Sequence, residues 1–317
     1  MTTPKNLHLV VGDGVIGCAV ADELARRGVP HALASRHAPP QPQRAGAHRI
    51  VDALDAASLQ EASADASHVY LTLGLPYDTQ VWQRDWPKVI KNTLACARTQ
   101  GFRLVMFDNV YPYGPPPLQV PMREDHPQHP VTNKGLVRKA IDDQLWRAVN
   151  EEGLKLVVAR SADFYGPNVR NSMLYSAAIE RQLQGKAAQW LGNPDRLHSY
   201  TYTLDAARGL VELALDEGAF GQVWHLPTMA PPPTTRALLE QSARLLGAPP
   251  TVNVMPRPLL ALLQWFVPVL REVREMLYQN EDDYVFSSER FLQRYPHFRV
   301  TPYAEGIEAM VRSLQRA

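Results

Sequence analysis

The stretch Leu7-His8-Leu9-Val10-Val11-Gly12-Asp13-Gly14-Val15-Ile16-Gly17 joins a short apolar run to three closely spaced glycines, and an alanine-rich helical pattern follows at once. A bare GxGxxG is a weak signal. With a strand before it and a helix after it, the same spacing predicts a dinucleotide-binding turn. One glycine makes the tight turn, the next lets backbone approach a pyrophosphate, and the third lets helix pack on strand, with phosphate at the positive helix end. The candidate contacts are therefore Gly12, Asp13, Gly14, Val15, Ile16 and Gly17; the alternative is a glycine-rich turn with no ligand. Ile16, Val20 and Leu24 recur at four-residue spacing, and Arg26, Arg27 and Gly28 supply a terminal charge and a stop.

Composition narrows the class. The chain has 317 residues, 33 Lys plus Arg against 32 Asp plus Glu, and 45% hydrophobic residues, enough for one or two domains with a large core. Near-zero net charge and the lack of a basic run argue against nucleic acid or an anionic membrane as partner. Cys18 and Cys96 share no redox or metal spacing, so both are expected as buried reduced thiols in a cytoplasmic protein with no signal peptide. The longest apolar stretch, Leu259 to Leu270, is interrupted by Gln264 and Pro268 and is too short to span a bilayer. It is expected as a buried or interface helix.

Strand and helix patterns then alternate. The strand His31 to Arg36 precedes a proline-rich loop, Pro39 to Pro42, and its end is where cofactor choice is made. NAD sites place an acidic residue there for the ribose hydroxyls, whereas a 2′-phosphate calls for arginine. Ser35 and Arg36 hold the place, so NADP is favoured over NAD. Further on come Arg49 to Asp52, a helix over Ser58 to Ala66, the strand run His68 to Gly74, a helix over Asp78 to Thr99, the strand Phe102 to Asp108, a helix over Asn133 to Glu152, and the strand Leu154 to Arg160. This alternation implies a parallel sheet, and ligands in such sheets sit beyond the carboxyl ends of the strands. That rule points to Asn109, Tyr111 and Tyr113 after the fifth strand, and to Asp163 and Tyr165 after the sixth; Asp52, Ala53, Leu73 and Gly74 complete the cofactor candidates. The pattern is less regular beyond Gly166-Pro167. Residues 1–165 read as the dinucleotide-binding domain and 166–317 as a smaller substrate-binding region, with 200–226 expected to return to the main sheet.

This order of motifs resembles the short-chain dehydrogenase/reductase superfamily in its extended epimerase/dehydratase-like branch. The resemblance rests on the N-terminal glycines, Asp52, Tyr113-Gly114, Arg160 to Asp163-Phe-Tyr-Gly-Pro167, Asp205-Ala-Ala, and the late segments Thr234 to Gly247 and Thr301 to Ile307. It implies an α/β fold, a Rossmann-like doubly wound parallel sheet with a smaller C-terminal substrate-binding region. It also implies a homodimer built from two helices that here carry Val89, Ile90, Leu94 and Leu136, Val137, Ile141, Leu145.

The family's chemistry uses a Ser or Thr after the fifth strand and a Tyr-x-x-x-Lys pair on the next helix, and this chain departs from both. Counting back from Tyr113-Gly114 puts Asn109 at the Ser position. One register puts Lys134 at the Tyr and Arg138 at the Lys, with Asp142 as the later acid; a register one residue on keeps Lys139 and replaces Tyr by Gly135. Arg138 remains able to hold the nicotinamide ribose but is not a proton donor. Lys134 and Tyr111 are then the candidates for proton transfer, against the alternatives that Lys134 is solvated and Tyr111 walls the pocket. Asn109 would orient substrate.

In the family the loop holding Asp125-His126-Pro-Gln-His129 borders the active site, so His126 is a substrate candidate; a metal site is not expected there, for want of a third ligand. The family's sugar-nucleotide arginine falls on His198 and its following acid on Ser199, which puts a nucleotide-sugar substrate in doubt. Trp82, Trp86, Trp190 and Trp265 read as core or interface before they read as pocket lining. The expected function is an NAD(P)-dependent oxidoreductase or epimerase acting on a small organic carbonyl or hydroxyl compound. The alternatives are a redox-neutral lyase or isomerase using bound NAD(P), and a non-catalytic NADP(H) sensor.

Overall fold

The computed structural model describes residues 5–37, 47–263 and 265–316; the proline-rich loop Pro39 to Pro42 and Gln264 lie outside the described residues. The chain forms two compact units. The first holds Met1–Pro112, Lys134–Arg160 and Ala206–Leu226, and the second holds Tyr113–Asn133, Ser161–Asp205 and Pro227–Ala317.

The first unit is built on β1 (Leu7–Val11), β2 (His31–Ser35), β3 (Ala47–Ile50), β4 (Ala66–Leu71), β5 (Arg103–Asp108), β6 (Leu156–Arg160) and a last strand, Gln222–His225. Their order across the sheet is last strand, β6, β5, β4, β1, β2, β3, and every neighbouring pair is parallel. The sheet is the expected doubly wound one. Its central strands are continuous apolar runs such as Leu9-Val10-Val11 and Leu104-Val105-Met106, all at most 3% exposed, as a sheet covered on both faces requires. Because the chain winds away from β1 in both directions, the loops after β1 and β4 bound the crevice where ligands bind in such folds.

Helix α1 (Val15–Arg26) buries Ile16, Val20 and Leu24, the apolar positions read from its spacing. Helix α2 (Ala56–Ala62) is shorter than the expected 58–66, because Ala66 already opens β4. Helix α3 (Thr79–Gln100) starts on the Asp78 carboxylate, which accepts from Val81 N–H at 2.9 Å, and stops at Gly101 in the left-handed region. Helix α4 (Asn133–Glu152) has the expected bounds. Val89, Ile90 and Leu94 of α3 and Ile141 and Leu145 of α4 lie in the core of this unit. Of the residues named for a dimer face, Leu136 is the exposed one, at 54%.

In the second unit, Asp163–Tyr165 pairs with Tyr200–Tyr202 and Ala188–Trp190 pairs with Val252–Val254, both in parallel. Tyr165 packs against Tyr200, Tyr202 and Tyr303, and a side chain at Gly306 would overlap the Tyr165 phenol. The Leu259 to Leu270 stretch is not a buried helix. It breaks into helices at Arg257–Leu263 and Pro268–Arg274, and between them Trp265 and Phe266 are 73% and 77% exposed. Trp82, Trp86 and Trp190 are core residues and Trp265 is not. Of the two thiols, Cys96 is buried, whereas Cys18 is half-buried, donating to the Asp13 carbonyl, and neither is in a disulfide. Among the described residues no helix is long and apolar enough to cross a membrane.

Candidate active site

The glycine turn after β1 meets the geometric demands of a phosphate-binding loop. Gly12 has φ +117°, and a Cβ there would lie 2.6 Å from the Leu73 nitrogen, so only glycine lets the β1 and β4 ends approach. A Cβ on Gly17 would overlap the Gly12 carbonyl oxygen, which fixes how closely α1 packs on the turn. At Gly14 a Cβ would meet nothing within 4 Å. Gly14 is also the N-cap of α1, with no side-chain cap and no acidic residue in the first turn. Asp13 and Gly14 are exposed and Val15 half-buried, while Ile16 turns into the core. The result is an open, uncapped N-terminus on a helix of twelve residues, whose free N–H groups and dipole favour an anion. These residues fit a dinucleotide pyrophosphate.

Around this turn, the Ser35 hydroxyl donates to the His37 carbonyl at 2.8 Å and accepts from His48 Nε2 at 3.0 Å, while Arg36 is exposed. Asp52 is half-buried and its carboxylate accepts from Leu54 N–H at 2.9 Å, so it shapes its own turn; Ala53 is buried beside it. Leu73 is half-buried against Gly12, and Gly74 is exposed.

At the ends of β4 and β5 the two proton-transfer candidates come together through a third residue. Lys134 is fully buried, which excludes the solvated reading. Its Nζ donates to Thr79 Oγ1 at 3.0 Å and lies 4.5 Å from the centre of the Tyr77 ring. The Tyr77 and Tyr111 hydroxyls are 3.3 Å apart. Trp82 backs both rings, stacked on Tyr111 and edge-on to Tyr77. Asn109 accepts from Tyr111 N–H at 3.0 Å and so fixes the turn that presents Tyr111. No tyrosine occurs in α4. Sequence reasoning missed Tyr77, although the strand-end rule that selects Tyr111 selects it equally: it follows β4 as Tyr111 follows β5.

Arg138 points inward. Its guanidinium lies 3.9 Å from the Trp86 ring centre and 4.9 Å from that of Trp82, with Nη1 3.2 Å from Asp108. Arg160 pairs with Asp142 and lies 3.6 Å from the other Asp108 oxygen, which completes a buried set of two arginines and two aspartates. Burial pushes the Asp142 carboxyl up to about 6, outweighing the opposing pull of Arg160, and burial also lowers Arg138. Asp108, the charged residue that ends β5 after the apolar run Leu104 to Phe107, is the second residue that sequence reasoning missed.

In the second unit, Tyr113 is fully buried and stacks on His126 at 4.9 Å. His126 accepts from Gln119 N–H through Nε2 at 3.0 Å, so its proton sits on Nδ1, 2.9 Å from the Pro127 carbonyl; both nitrogens hold the loop together. His198 is buried between Tyr284 and Tyr200, and its Nε2–H donates to the half-exposed Asp163 at 3.0 Å. Tyr165 is buried and its phenol is raised by that burial. Among the described residues no group of three or more metal-ligating side chains occurs.

Residues 8–225 match the sequence profile of the NAD dependent epimerase/dehydratase family. By sequence, none of the curated proteins matches the chain. Three solved structures illustrate its likeness in fold. UDP-N-acetylglucosamine 4-epimerase from Bacillus cereus is 15% identical, with a TM-score of 0.76 over 98% of this chain and 96% of that one. UDP-glucose 4-epimerase from Thermus thermophilus, in complex with NAD, is 19% identical, with a TM-score of 0.76 over 98% and 99%. An epimerase from Methanothermobacter thermautotrophicus is 15% identical, with a TM-score of 0.80 over 98% and 92%. At these identities the likeness is one of fold.

Proposed function

The chain belongs to the NAD dependent epimerase/dehydratase family, and from that membership we propose that it moves a hydride between a nicotinamide dinucleotide and a small organic carbonyl or hydroxyl compound, in net oxidoreduction or in epimerisation. The bound nucleotide supplies or accepts the hydride. The residues of the chain bind it and move the accompanying proton. Gly12 to Gly17 receive the pyrophosphate, and Asp52, Ala53, Leu73 and Gly74 border the nucleotide; Arg138, the candidate for the nicotinamide ribose, is buried on Trp86 and Asp108. The open space at Gly14 at an uncapped helix N-terminus is the observation that carries this reading.

NADP is the proposed cofactor, because β2 ends on Ser35 and the exposed Arg36, with no Asp or Glu at those two positions. Tyr111 and Lys134 are the proposed proton-transfer pair, with Asn109 orienting. Asp163, His198, Tyr113, His126 and Tyr165 are proposed to shape the substrate region of the second unit. An aspartate with a histidine behind it suits a neutral polyhydroxy or carbonyl compound better than a nucleotide diphosphate. We also propose a homodimer through the outer faces of α3 and α4 and a cytoplasmic setting, the latter supported by two cysteines that form no disulfide.

Titration of NADP and NAD against the wild type and Arg36→Ala tests the assignment. The wild type is expected to prefer NADP, and the substitution to weaken NADP about tenfold to a hundredfold with little change for NAD. Failure to bind either nucleotide would overturn the function; equal weakening would remove Arg36 from the cofactor choice.

A further inference from the structure

Three groups at the carboxyl edge of β4 and β5 form one hydrogen-bonded and electrostatic unit: the Tyr111 hydroxyl, the Tyr77 hydroxyl 3.3 Å away, and the Lys134 ammonium 4.5 Å from the Tyr77 ring. Their exposure is graded. Lys134 is fully buried, Tyr111 is half-buried against Trp82, and Tyr77 is 37% exposed. Thr79 Oγ1, at the first turn of α3, accepts from Nζ and holds the ammonium in place. A buried cation beside two touching phenols favours the state in which they share one proton and carry one negative charge, and Arg138, over the same Trp82 ring as Tyr111, adds a second positive charge that acts on Tyr111. An exposed outer phenol gives that proton a route to water.

We propose that Tyr77 and Tyr111 act together as a proton relay, with Lys134 as the cation that keeps the pair singly ionised and Tyr77 as its outlet to solvent. This rests on the functional reading above. In the oxidation direction, where a bound nucleotide would take the hydride, Tyr111 takes the proton of the substrate hydroxyl. At that moment the pair is neutral: one O–H bond has formed at Tyr111 and one has broken on the substrate. Tyr77 then releases its proton to water while accepting that of Tyr111, which restores the shared charge. One proton and no electron crosses the pair. Reduction runs the same path backwards.

The test uses the full chain labelled with 3-fluorotyrosine, with the resonances of Tyr77 and Tyr111 assigned by their loss in Tyr77→Phe and Tyr111→Phe. The two fluorine signals are expected to shift in a common first step as pH rises. Tyr77→Phe should raise the Tyr111 midpoint by about one pH unit or more, and Lys134→Met should raise both by a similar amount. Independent titrations in the wild type, with the Tyr111 midpoint unmoved by Tyr77→Phe, would overturn the relay. Tyr77→Phe removes one hydroxyl from a residue that is 37% exposed and is expected to leave the fold intact, so this result stands even if Lys134→Met does not fold. The readout needs no substrate or nucleotide. Nucleotide titration, run separately, decides the functional reading by itself.

Discussion

The Arg138 guanidinium lies 3.9 Å from the centre of the Trp86 ring and pairs with Asp108. A cation is thus locked into the core of the sheet unit, between α3 and the end of β5. Stacking of this kind is worth about 2 kcal/mol when desolvated, and removing one member of a buried ion pair costs about 3–5 kcal/mol. Arg138→Met is therefore expected to lower the unfolding free energy by about 3 kcal/mol or more, by leaving Asp108 without its near cation. Arg138→Lys keeps the charge but not the planar stack and should lose less. Chemical denaturation of both variants checks the order; equal losses would show that the stack contributes nothing.

The three glycines of the turn are expected to separate by mechanism. Gly14→Ala places its methyl in open space, so thermal stability should hardly move while nucleotide affinity falls about tenfold or more. Gly17→Ala drives a methyl into the Gly12 carbonyl and should destabilise the fold by several kcal/mol. Thermal unfolding with and without nucleotide reads both. Unchanged affinity in Gly14→Ala would move the pyrophosphate away from this turn.

Acid sensitivity is expected from the opposite edge of the sheet. His8 is buried in β1, hydrogen-bonded to the Tyr70 hydroxyl at 2.9 Å and stacked on His68. Burial, with His68 and His31 nearby, pushes His8 down to about 3, and burial with Arg103 pushes His68 down to about 4. Both folded values lie below the unfolded 6.5, so the unfolded chain binds more protons in acid. The stability from keeping these rings neutral is complete above pH 6.5 and is lost as pH falls below it. The slope should reach about 1 kcal/mol per pH unit for His8 and less for the more accessible His68. His8→Asn, which keeps a partner for Tyr70, should flatten the fall of melting temperature between neutral and acid pH; an unchanged slope would place the acid sensitivity elsewhere.

Once a substrate is found, Tyr111→Phe and Lys134→Met are expected to lower turnover about a hundredfold or more with little change in nucleotide affinity. Steady-state rates beside nucleotide binding separate the two effects. Near-normal turnover in both variants would send the proton by another route.

The sheet and the glycine turn were readable from the chain because each depends on local order: apolar runs, four-residue spacing, and glycines between a strand and a helix. The helix bounds at Asn133 and Glu152 follow from the same periodicity. The directions of Lys134 and Arg138 were not readable. Both lie on one helix, yet what buries them are Tyr77, Thr79, Trp82 and Trp86, which enter from α3 and the loop before it; Thr79 is 55 positions from Lys134. Periodicity says which side of a helix is apolar, and here a lysine and an arginine occupy that side because distant aromatics accept their charge. The 259–270 stretch misled for the converse reason. Its hydrophobicity predicts burial, but Pro268 breaks the helix and leaves Trp265 and Phe266 at the turn.

The position of the last strand bears on how the protein is made. Gln222–His225 lies beside β6, with Gly221 N–H reaching the Leu156 carbonyl and Leu226 N–H reaching that of Arg160. During translation β6 emerges more than sixty residues ahead of this partner, a length that includes the Asp163 to Tyr202 strands of the other unit. For that interval the nascent sheet has an open edge whose backbone groups invite pairing with any neighbouring chain. Ribosome-bound chains halted before residue 222 would thus be the species most in need of a chaperone, and release of the Gln222–His225 segment the event that seals the sheet.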